Sequence, residues 1–135
     1  MRSKKVILDT NLWISFLITK NYSFIDKFVE NQKVTLIFSK ELIQEFLTVA
    51  TRPKFQKYFT DQDIQKLLRS FDNFAKIIET TSNIEICRDF KDNFLLNLAI
   101  DSKADFLVTG DNDLLELKKI EKTKILTIRE LTERI

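Results

Sequence analysis

Histidine is absent from this sequence of 135 residues, and cysteine, glycine and proline occur once each. Without imidazole, Ser-His-Asp and Cys-His catalysis are excluded, as are the usual zinc sites built from histidine and cysteine. A single cysteine, Cys87, forms no internal disulfide and favours a reducing compartment. A single glycine, Gly110, is too few for a P-loop or for a G-x-G-x-x-G dinucleotide loop. The chemistry is therefore left to carboxylates, lysine, tyrosine or metal-bound water.

Strong charge of one sign and long apolar runs are absent too. Lys and Arg total 22 against 20 Asp and Glu, so the net charge of +2 argues neither for nor against a polyanionic partner. No apolar run approaches the roughly 18 residues of a membrane-spanning helix, and no signal-peptide core is visible. We expect a single domain over residues 1–135, cytoplasmic and without a membrane partner.

Apolar segments of strand length alternate with amphipathic segments, which is typical of an α/β fold with a central parallel sheet. Strands are predicted at about 5–9, 34–38, 105–109 and 124–127, and an extra short strand near 84–87 stays open. Helices are predicted at about 11–18, 23–31, 40–51, 61–78, 92–103 and 128–134, and a break within 61–78 stays open.

Several predicted helices carry signals at their ends. Ser39 is a predicted N-cap, and two capping boxes are predicted, one pairing Thr60 with Asp63 and the other pairing Thr127 with Glu130. Pro53 is expected to end the helix before it near residue 51.

Two of the predicted strands are followed by an acid. Asp9 comes directly after Val6-Ile7-Leu8, and Asp111 closes the similar run Phe106–Gly110. In an open parallel sheet, ligands bind in the crevice outside the carboxyl ends of the strands. We therefore expect Asp9 and Asp111 to share one site, where the repulsion between the carboxylates demands a cation.

Helical angles, at ~100° per residue, sort the acids on two predicted helices. Glu45 falls at the border of the apolar arc of helix 40–51. Asp92 projects onto the middle of the apolar face of its helix, so it is predicted to point inward. Asp101 projects to the opposite side and is predicted to be solvated.

Each of these acids also has a simpler interpretation. A border glutamate is usually a surface residue, and Asp9 and Asp92 could each serve only as helix N-caps. The triplet Asp111-Asn112-Asp113 could be an ordinary turn. Their common position, at one edge of the sheet or at helix starts facing it, favours a site over four separate coincidences.

Four motifs stand in order over essentially the whole chain: Asp9-Thr10-Asn11, Ser39–Phe46, Arg88–Ala99 and Ala104–Leu115. The last contains the sequence Ala-Asp-Phe-Leu-Val-Thr-Gly-Asp. In this order and spacing they resemble the PIN-domain ribonucleases, most closely the branch of VapC-like toxins of type II toxin–antitoxin pairs.

The resemblance implies a three-layer α/β/α fold and an acidic pocket that holds Mg²⁺ or Mn²⁺. By motif position, the four acids of the family fall on Asp9, Glu45, Asp92 and Asp111, as metal ligands and catalytic residues. Further family positions fall on Thr10 or Asn11, and on Asp89 and Asp113, whose roles are less defined. Phe90 replaces a frequent proline and should alter only the approach to its helix. An RNA substrate and a cognate antitoxin are the partners that the resemblance implies, and a homodimer stays open.

The donor set alone leads to a similar mechanism. Clustered carboxylates without histidine or cysteine favour Mg²⁺ or Mn²⁺ over zinc. Such ions lower the pKa of bound water and stabilise charge on the attacking and leaving oxygens of a phosphodiester. Asp9, Asp92 and Asp111 are the predicted ligands, and Glu45 binds a second ion or orients the water. Thr10, Asn11 and Thr109 are predicted to support the ligands or orient the substrate.

Three further features have alternative interpretations. The segment Arg52–Tyr58 mixes cations with aromatic rings, as proteins that bind single-stranded nucleic acid do, but it could equally be a solvated loop with two anchors in the core. Trp13 is expected to pack beneath the site rather than to form a dimer surface. The apolar stripe that begins at Ile64 is expected to belong to the core, and a partner groove is the minority alternative.

Three classes of function remain for comparison. A metal-dependent endoribonuclease is preferred. A metal-dependent DNA nuclease or phosphoesterase would use similar acids, but it would usually carry additional DNA-binding modules. A non-catalytic RNA-binding or regulatory module is disfavoured because all four acids are retained. Its receiver-like form is disfavoured because the middle strand 34–38 is followed by Ser39 rather than by an acid.

Overall fold

The computed structural model of this protein describes residues 3–20, 34–70, 75–81 and 90–134, with the side chains at positions 70 and 90–92 excepted. The strands are β1 (Lys4–Leu8), β2 (Val34–Phe38), β3 (Ala75–Ile77), β4 (Phe106–Val108), β5 (Lys119–Ile120) and β6 (Thr123–Leu126). The helices are α1 (Thr10–Thr19), α2 (Lys40–Ala50), α3 (Asp61–Ser70), α4 (Phe90–Ser102), α5 (Asn112–Leu115) and α6 (Ile128–Arg134). A single turn of 3₁₀ helix covers Pro53–Phe55.

The strands form one sheet in the order β3-β2-β1-β4-β6-β5. Every pairing is parallel except that between β5 and β6. From β1 the chain first builds towards β3 and later towards β6, so the direction reverses between β1 and β4. Because parallel crossovers are right-handed, this reversal puts helices on both faces of the sheet. The predicted α/β fold with three layers and a central, mostly parallel sheet is confirmed.

The inner strands are apolar on both faces because both faces are covered. Val6, Ile7 and Leu8 of β1 are at most 1% exposed, and all three residues of β4 are buried. Such continuous apolar runs are the mark of parallel strands buried between helix layers. The chain therefore leaves these strands only at their ends, where the polar residues begin.

The predicted helix signals hold at the residue level. The Ser39 hydroxyl accepts a hydrogen bond from the Leu42 N–H (3.1 Å), as an N-cap should. In both capping boxes the threonine hydroxyl and the acid exchange hydrogen bonds with backbone N–H groups. The helix before Pro53 ends at Ala50, one residue before the predicted limit.

Several element predictions were wrong. Of the predicted helix 61–78, whose break was left open, Asp61–Ser70 is helical, whereas Ala75–Ile77 forms the edge strand β3 instead. Strand β5 and helix α5 were not predicted at all. Asp101 is half-buried rather than solvated, because its carboxylate accepts a hydrogen bond from the Thr81 N–H (2.6 Å). The predictions for 23–31 and 84–87 lie outside the described residues. None of the helices in the described ranges is long and apolar enough to cross a bilayer.

Candidate active site

Asp9 and the segment Thr109-Gly110-Asp111 lie side by side at the carboxyl ends of β1 and β4. The two strands are hydrogen-bonded neighbours with Leu8 opposite Val108, and the Asp9 N–H continues the ladder by donating to the Val108 carbonyl (3.0 Å). This is also the point at which the strand order reverses, where open α/β sheets bind their ligands. The backbone alone thus brings the two predicted strand-end acids together.

The hydroxyl of Thr109 links the two acids. Its Oγ1 donates to Oδ2 of Asp9 (2.8 Å) and accepts from the N–H of Asp111 (3.0 Å). Thr109 is only 1% exposed, and its own N–H donates to the Leu126 carbonyl on β6 (2.9 Å). The hydroxyl is therefore held in the sheet edge, and it fixes the Asp9 carboxylate relative to the backbone of Asp111.

The environment of Asp9 disfavours its charge. Burial raises the pKa of the Asp9 carboxyl above its ordinary value of 3.8, and the nearby Asp111 charge raises it further. The hydrogen bond from Thr109 and the N–H groups of Asn11 and Thr10 oppose the shift but do not cancel it. Asp9 precedes α1 without forming a full side-chain capping bond. Capping alone therefore does not account for a half-buried acid at this position.

Asp111 has a clear structural role in addition. It is the N-cap of α5, and its Oδ1 accepts from the Asp113 N–H (2.8 Å). The simpler interpretation of Asp111-Asn112-Asp113 as a turn therefore holds for Oδ1 of Asp111, which caps the helix. Asp113 is exposed in the first turn of α5.

Gly110 separates Thr109 from Asp111 and has open space in front of it. Its φ lies outside the left-handed region, so the backbone does not require a glycine here. A Cβ built on this residue would meet no protein atom within 4 Å. The surface in front of Gly110, next to Asp111, is thus clear of protein atoms.

The remaining predicted acids lie on helices that contact one another. Glu45 is half-buried in the middle of α2, and α2 packs against both α1 and α4. Asp92 lies in the first turn of α4, and its predicted inward orientation stays a prediction because its side chain is outside the described part. Asp89 lies outside the described residues.

Other polar residues divide by exposure. Thr10 is 5% exposed, so it is able to support Asp9 from within but not to reach a substrate, whereas Asn11 is exposed. Asn93 and Asn97 on α4 are buried polar residues that the sequence analysis did not single out. Their spacing of four residues, which puts both on one face of the helix, was the available signal.

Comparison with known proteins decides the family, because the sequence profile of the PIN domain matches residues 5–113. The chain belongs to the PIN-domain family. A relative, the uncharacterized protein MJ1680 of Methanocaldococcus jannaschii, is 34% identical over 131 residues, which is 94% of this chain and 82% of that protein. PIN domains are generally nucleases.

Two solved structures share the fold of this PIN domain. One is VapBC2 from Rickettsia felis bound to a DNA fragment from their promoter, with a TM-score of 0.60 and 17% identity over 90% of this chain and 96% of that one. The other is PAE2754 from Pyrobaculum aerophilum, with a TM-score of 0.58 and 21% identity over 97% of this chain and 88% of that one. At these identities the likeness concerns the fold.

The donors of this PIN domain suit a hard divalent cation. Among the described side chains, no three acids come close enough to hold one ion, so Asp9 and Asp111 form a pair to which Asp92 or Glu45 would have to add. The raised pKa of Asp9 is the observation that tests the fit. A cation between Asp9 and Asp111 would offset both the burial of the carboxylate and the repulsion, and carboxylate oxygens are the ligands that Mg²⁺ and Mn²⁺ prefer.

Two predictions outside the acid pair can also be compared with the structure. Trp13 is 1% exposed and packs against the rings of Phe16 and Phe38, so it belongs to the core as expected. In the segment Arg52–Tyr58, Phe55 stacks on the buried Phe59, while Tyr58 is 45% exposed. The segment thus has an anchor in the core and an exposed aromatic ring beside its cations.

Proposed function

We propose that this PIN domain is a metal-dependent endoribonuclease and the toxin of a toxin–antitoxin pair. The observation that carries the proposal is the pair Asp9 and Asp111 at the reversal point of the sheet, where the Thr109 hydroxyl donates to the Asp9 carboxylate and accepts from the Asp111 N–H. Family membership supports nuclease chemistry, and the fold shared with VapBC2 supports the toxin class.

In this proposal Asp9, Asp92 and Asp111 hold Mg²⁺ or Mn²⁺, and Glu45 binds a second ion or orients the attacking water. When bound, the cation would neutralise charge on the phosphodiester and activate water. By donating to Oδ2, Thr109 would hold the Asp9 carboxylate in one orientation as a ligand. Asn11 and Asp113 are both exposed, and in this proposal they would orient the substrate.

The segment Arg52–Tyr58 supports a single-stranded substrate. The ammonium of Lys54 lies 5.1 Å from the ring centre of Phe55, and that of Lys57 lies 5.2 Å from the ring centre of Tyr58. Within the described ranges, neither lysine forms an ion pair with an acid. An exposed ring with cations beside it can stack on a base while the cations contact phosphates, which is how single strands are bound without sequence readout.

The test is cleavage of defined RNA and DNA by the purified protein. We expect internal cuts in single-stranded or loop RNA with Mg²⁺ or Mn²⁺, no cuts in EDTA, and no cuts in DNA of the same sequence. Cleavage of the DNA strand alone would instead support the alternative, a DNA nuclease. Binding of RNA without cleavage under any metal condition would support a non-catalytic module.

The toxin class has its own test in cells. Expression of the chain without a partner should arrest growth and degrade RNA, whereas Asp9→Asn, expressed to the same level, should do neither. The substitution keeps the shape of the side chain and an acceptor for Thr109 but removes the charge that binds the cation. Equal toxicity of both chains would contradict metal-dependent cleavage as the cause, and a cognate antitoxin, if co-expressed, should restore growth.

A further inference from the structure

A pocket of about 510 Å³ lies beside the edge strand β5, between α5, the β5–β6 pair and α6. Its apolar wall consists of Leu115, Ile125 and Leu126. The rest of the lining is strongly basic, with four cations and a single acid: Lys118, Lys119, Lys124, Arg134 and Glu130. This pocket was not predicted from the sequence, although the closely spaced lysines between positions 118 and 124 were a signal for it.

The one acid of the pocket is already engaged elsewhere. An oxygen of Glu130 accepts from both the N–H and the hydroxyl of Thr127, as part of the capping box that begins α6. In the part of the chain that the structure describes, none of the four cations forms an ion pair with a carboxylate. The positive charge of the pocket is therefore not neutralised from within the described fold.

Backbone pairing sets two of these cations directly against each other. Lys119 on β5 stands opposite Lys124 on β6 in the antiparallel register. Like charges directly opposite in such a pair destabilise it. Both lysines are exposed and lie beside the apolar wall, at paired positions where their like charges lower the stability of the fold. This pairing indicates a role in binding rather than in stability. An anion bound between the two ammonium groups would offset their repulsion.

The pocket and the acid pair are connected by one short helix. Asp111 caps α5, and Leu115, the last residue of α5, lines the pocket. Lys124 on β6 pairs with Phe106, three residues before Thr109, so at about 3.3 Å per residue it lies roughly 10 Å along the strands from Thr109, a distance that an extended strand of nucleic acid can span. An extended polyanion that crosses the acid pair can therefore reach the cations, which also counter the repulsion that the acids exert on it.

We propose that Lys118, Lys119, Lys124 and Arg134 bind the phosphate backbone of the RNA strand on one side of the cleavage position. This inference rests on the proposed ribonuclease function. Lysines act as point charges on phosphates and carry no base readout, so the pocket contributes affinity and register rather than sequence preference. An acidic peptide is the competing occupant, and the experiment separates the two.

The test measures binding of a fluorescein-labelled single-stranded RNA in EDTA, where no cleavage is expected, over a range of salt concentrations. Lys119→Gln/Lys124→Gln should weaken binding at least about fivefold and reduce the salt slope by about 1.4, since each phosphate contact to a single strand contributes about 0.7. The matched control is Lys4→Gln/Lys76→Gln, which removes the same charge at exposed positions on β1 and on the opposite edge strand. The control should bind like the wild type.

Stability is measured on the same variants. Because the pocket variant removes two like charges that face each other, its melting temperature should equal or exceed that of the wild type, which excludes unfolding as the cause of weaker binding. Equal affinity and equal salt slope in both variants would overturn the proposal and leave the acidic peptide. If the wild type binds RNA through the pocket but never cuts it with Mn²⁺, the ribonuclease proposal fails while the pocket stands.

Discussion

At the scale of residues, the hydroxyl hydrogen of Thr109 fixes the orientation of the Asp9 carboxylate. Thr109 has one hydrogen to give, and because its oxygen accepts from the Asp111 N–H, that hydrogen is directed to Asp9. The sequence analysis predicted Thr109 only as a supporting donor, and its bond to the Asp111 backbone was not predicted. Such a three-residue link depends on strand register, which sequence periodicity leaves undefined.

Substitution of this residue separates the hydroxyl from the shape of the side chain. Thr109→Val should weaken Mn²⁺ binding by about 10- to 100-fold, as loss of a partner that orients a metal ligand does. It should also cost about 1–3 kcal/mol, because the Asp111 N–H loses its buried acceptor. Thr109→Ser, which keeps the hydroxyl, is the control in calorimetric titrations. Equal losses in both variants would contradict the role of the hydroxyl.

Asp9 should reduce the stability of the metal-free protein at neutral pH. Its raised pKa means that its contribution to folding is present below the ordinary pKa of 3.8 and is lost as pH rises through the folded value. Asp9→Asn should therefore melt at a higher temperature than the wild type at neutral pH in EDTA, and the difference should vanish in acid. Melting curves across this pH range measure it, and a variant that melts lower at neutral pH would refute it.

At the scale of elements, the ends of helices were more predictable than short strands. Capping residues act through bonds within four residues of sequence, so Ser39 and both boxes were identified correctly. Strand β3 has three residues with Lys76 and Ile77 exposed, and its pairing to β2 is a long-range contact that periodicity does not encode. Strand β5 has only two residues, which is too short for a periodic pattern. The apolar stripe that begins at Ile64 keeps helical spacing up to β3, so the change from helix to strand was not recognised from the sequence.

Helix α4 allows an internal comparison of two aspartates. Asp92→Asn should reduce RNA cleavage by orders of magnitude, because it removes a proposed metal ligand in the first turn. Asp101→Asn should leave cleavage nearly unchanged, because the amide oxygen still accepts from the Thr81 N–H in place of the carboxylate. Single-turnover cleavage rates measure both. Similar rates in the two variants would contradict the assignment of Asp92.

At the scale of the whole molecule, the order of the strands matters more than any one of them. Composition and periodicity sufficed for the α/β class, and the family motifs sufficed for the three layers. The reversal between β1 and β4 explains why acids distant in sequence meet at one edge. The basic edge formed by β5 and α6 was not predicted, because it depends on the single antiparallel pairing of the sheet.

Cation binding should stabilise the entire fold, since an ion that binds the folded state shifts the unfolding equilibrium. At a concentration of Mn²⁺ a hundred times its dissociation constant, the gain is about 2.7 kcal/mol, or roughly 10 °C in melting temperature. Asp9→Asn is the control and should gain little. Identical melting temperatures of the wild type in Mn²⁺ and in EDTA would count against the cation site.

The lone glycine of the chain has a consequence for chain entropy. Gly110 has no backbone need to be glycine and no neighbour that a methyl group would strike, so Gly110→Ala should stabilise the fold by about 0.4–1 kcal/mol by restricting the unfolded chain. If the substrate lies over Gly110, the same methyl group should slow RNA cleavage. A variant that melts higher and cuts more slowly would mean that a molecule passes over position 110, whereas unchanged cleavage would mean that the substrate does not contact this position.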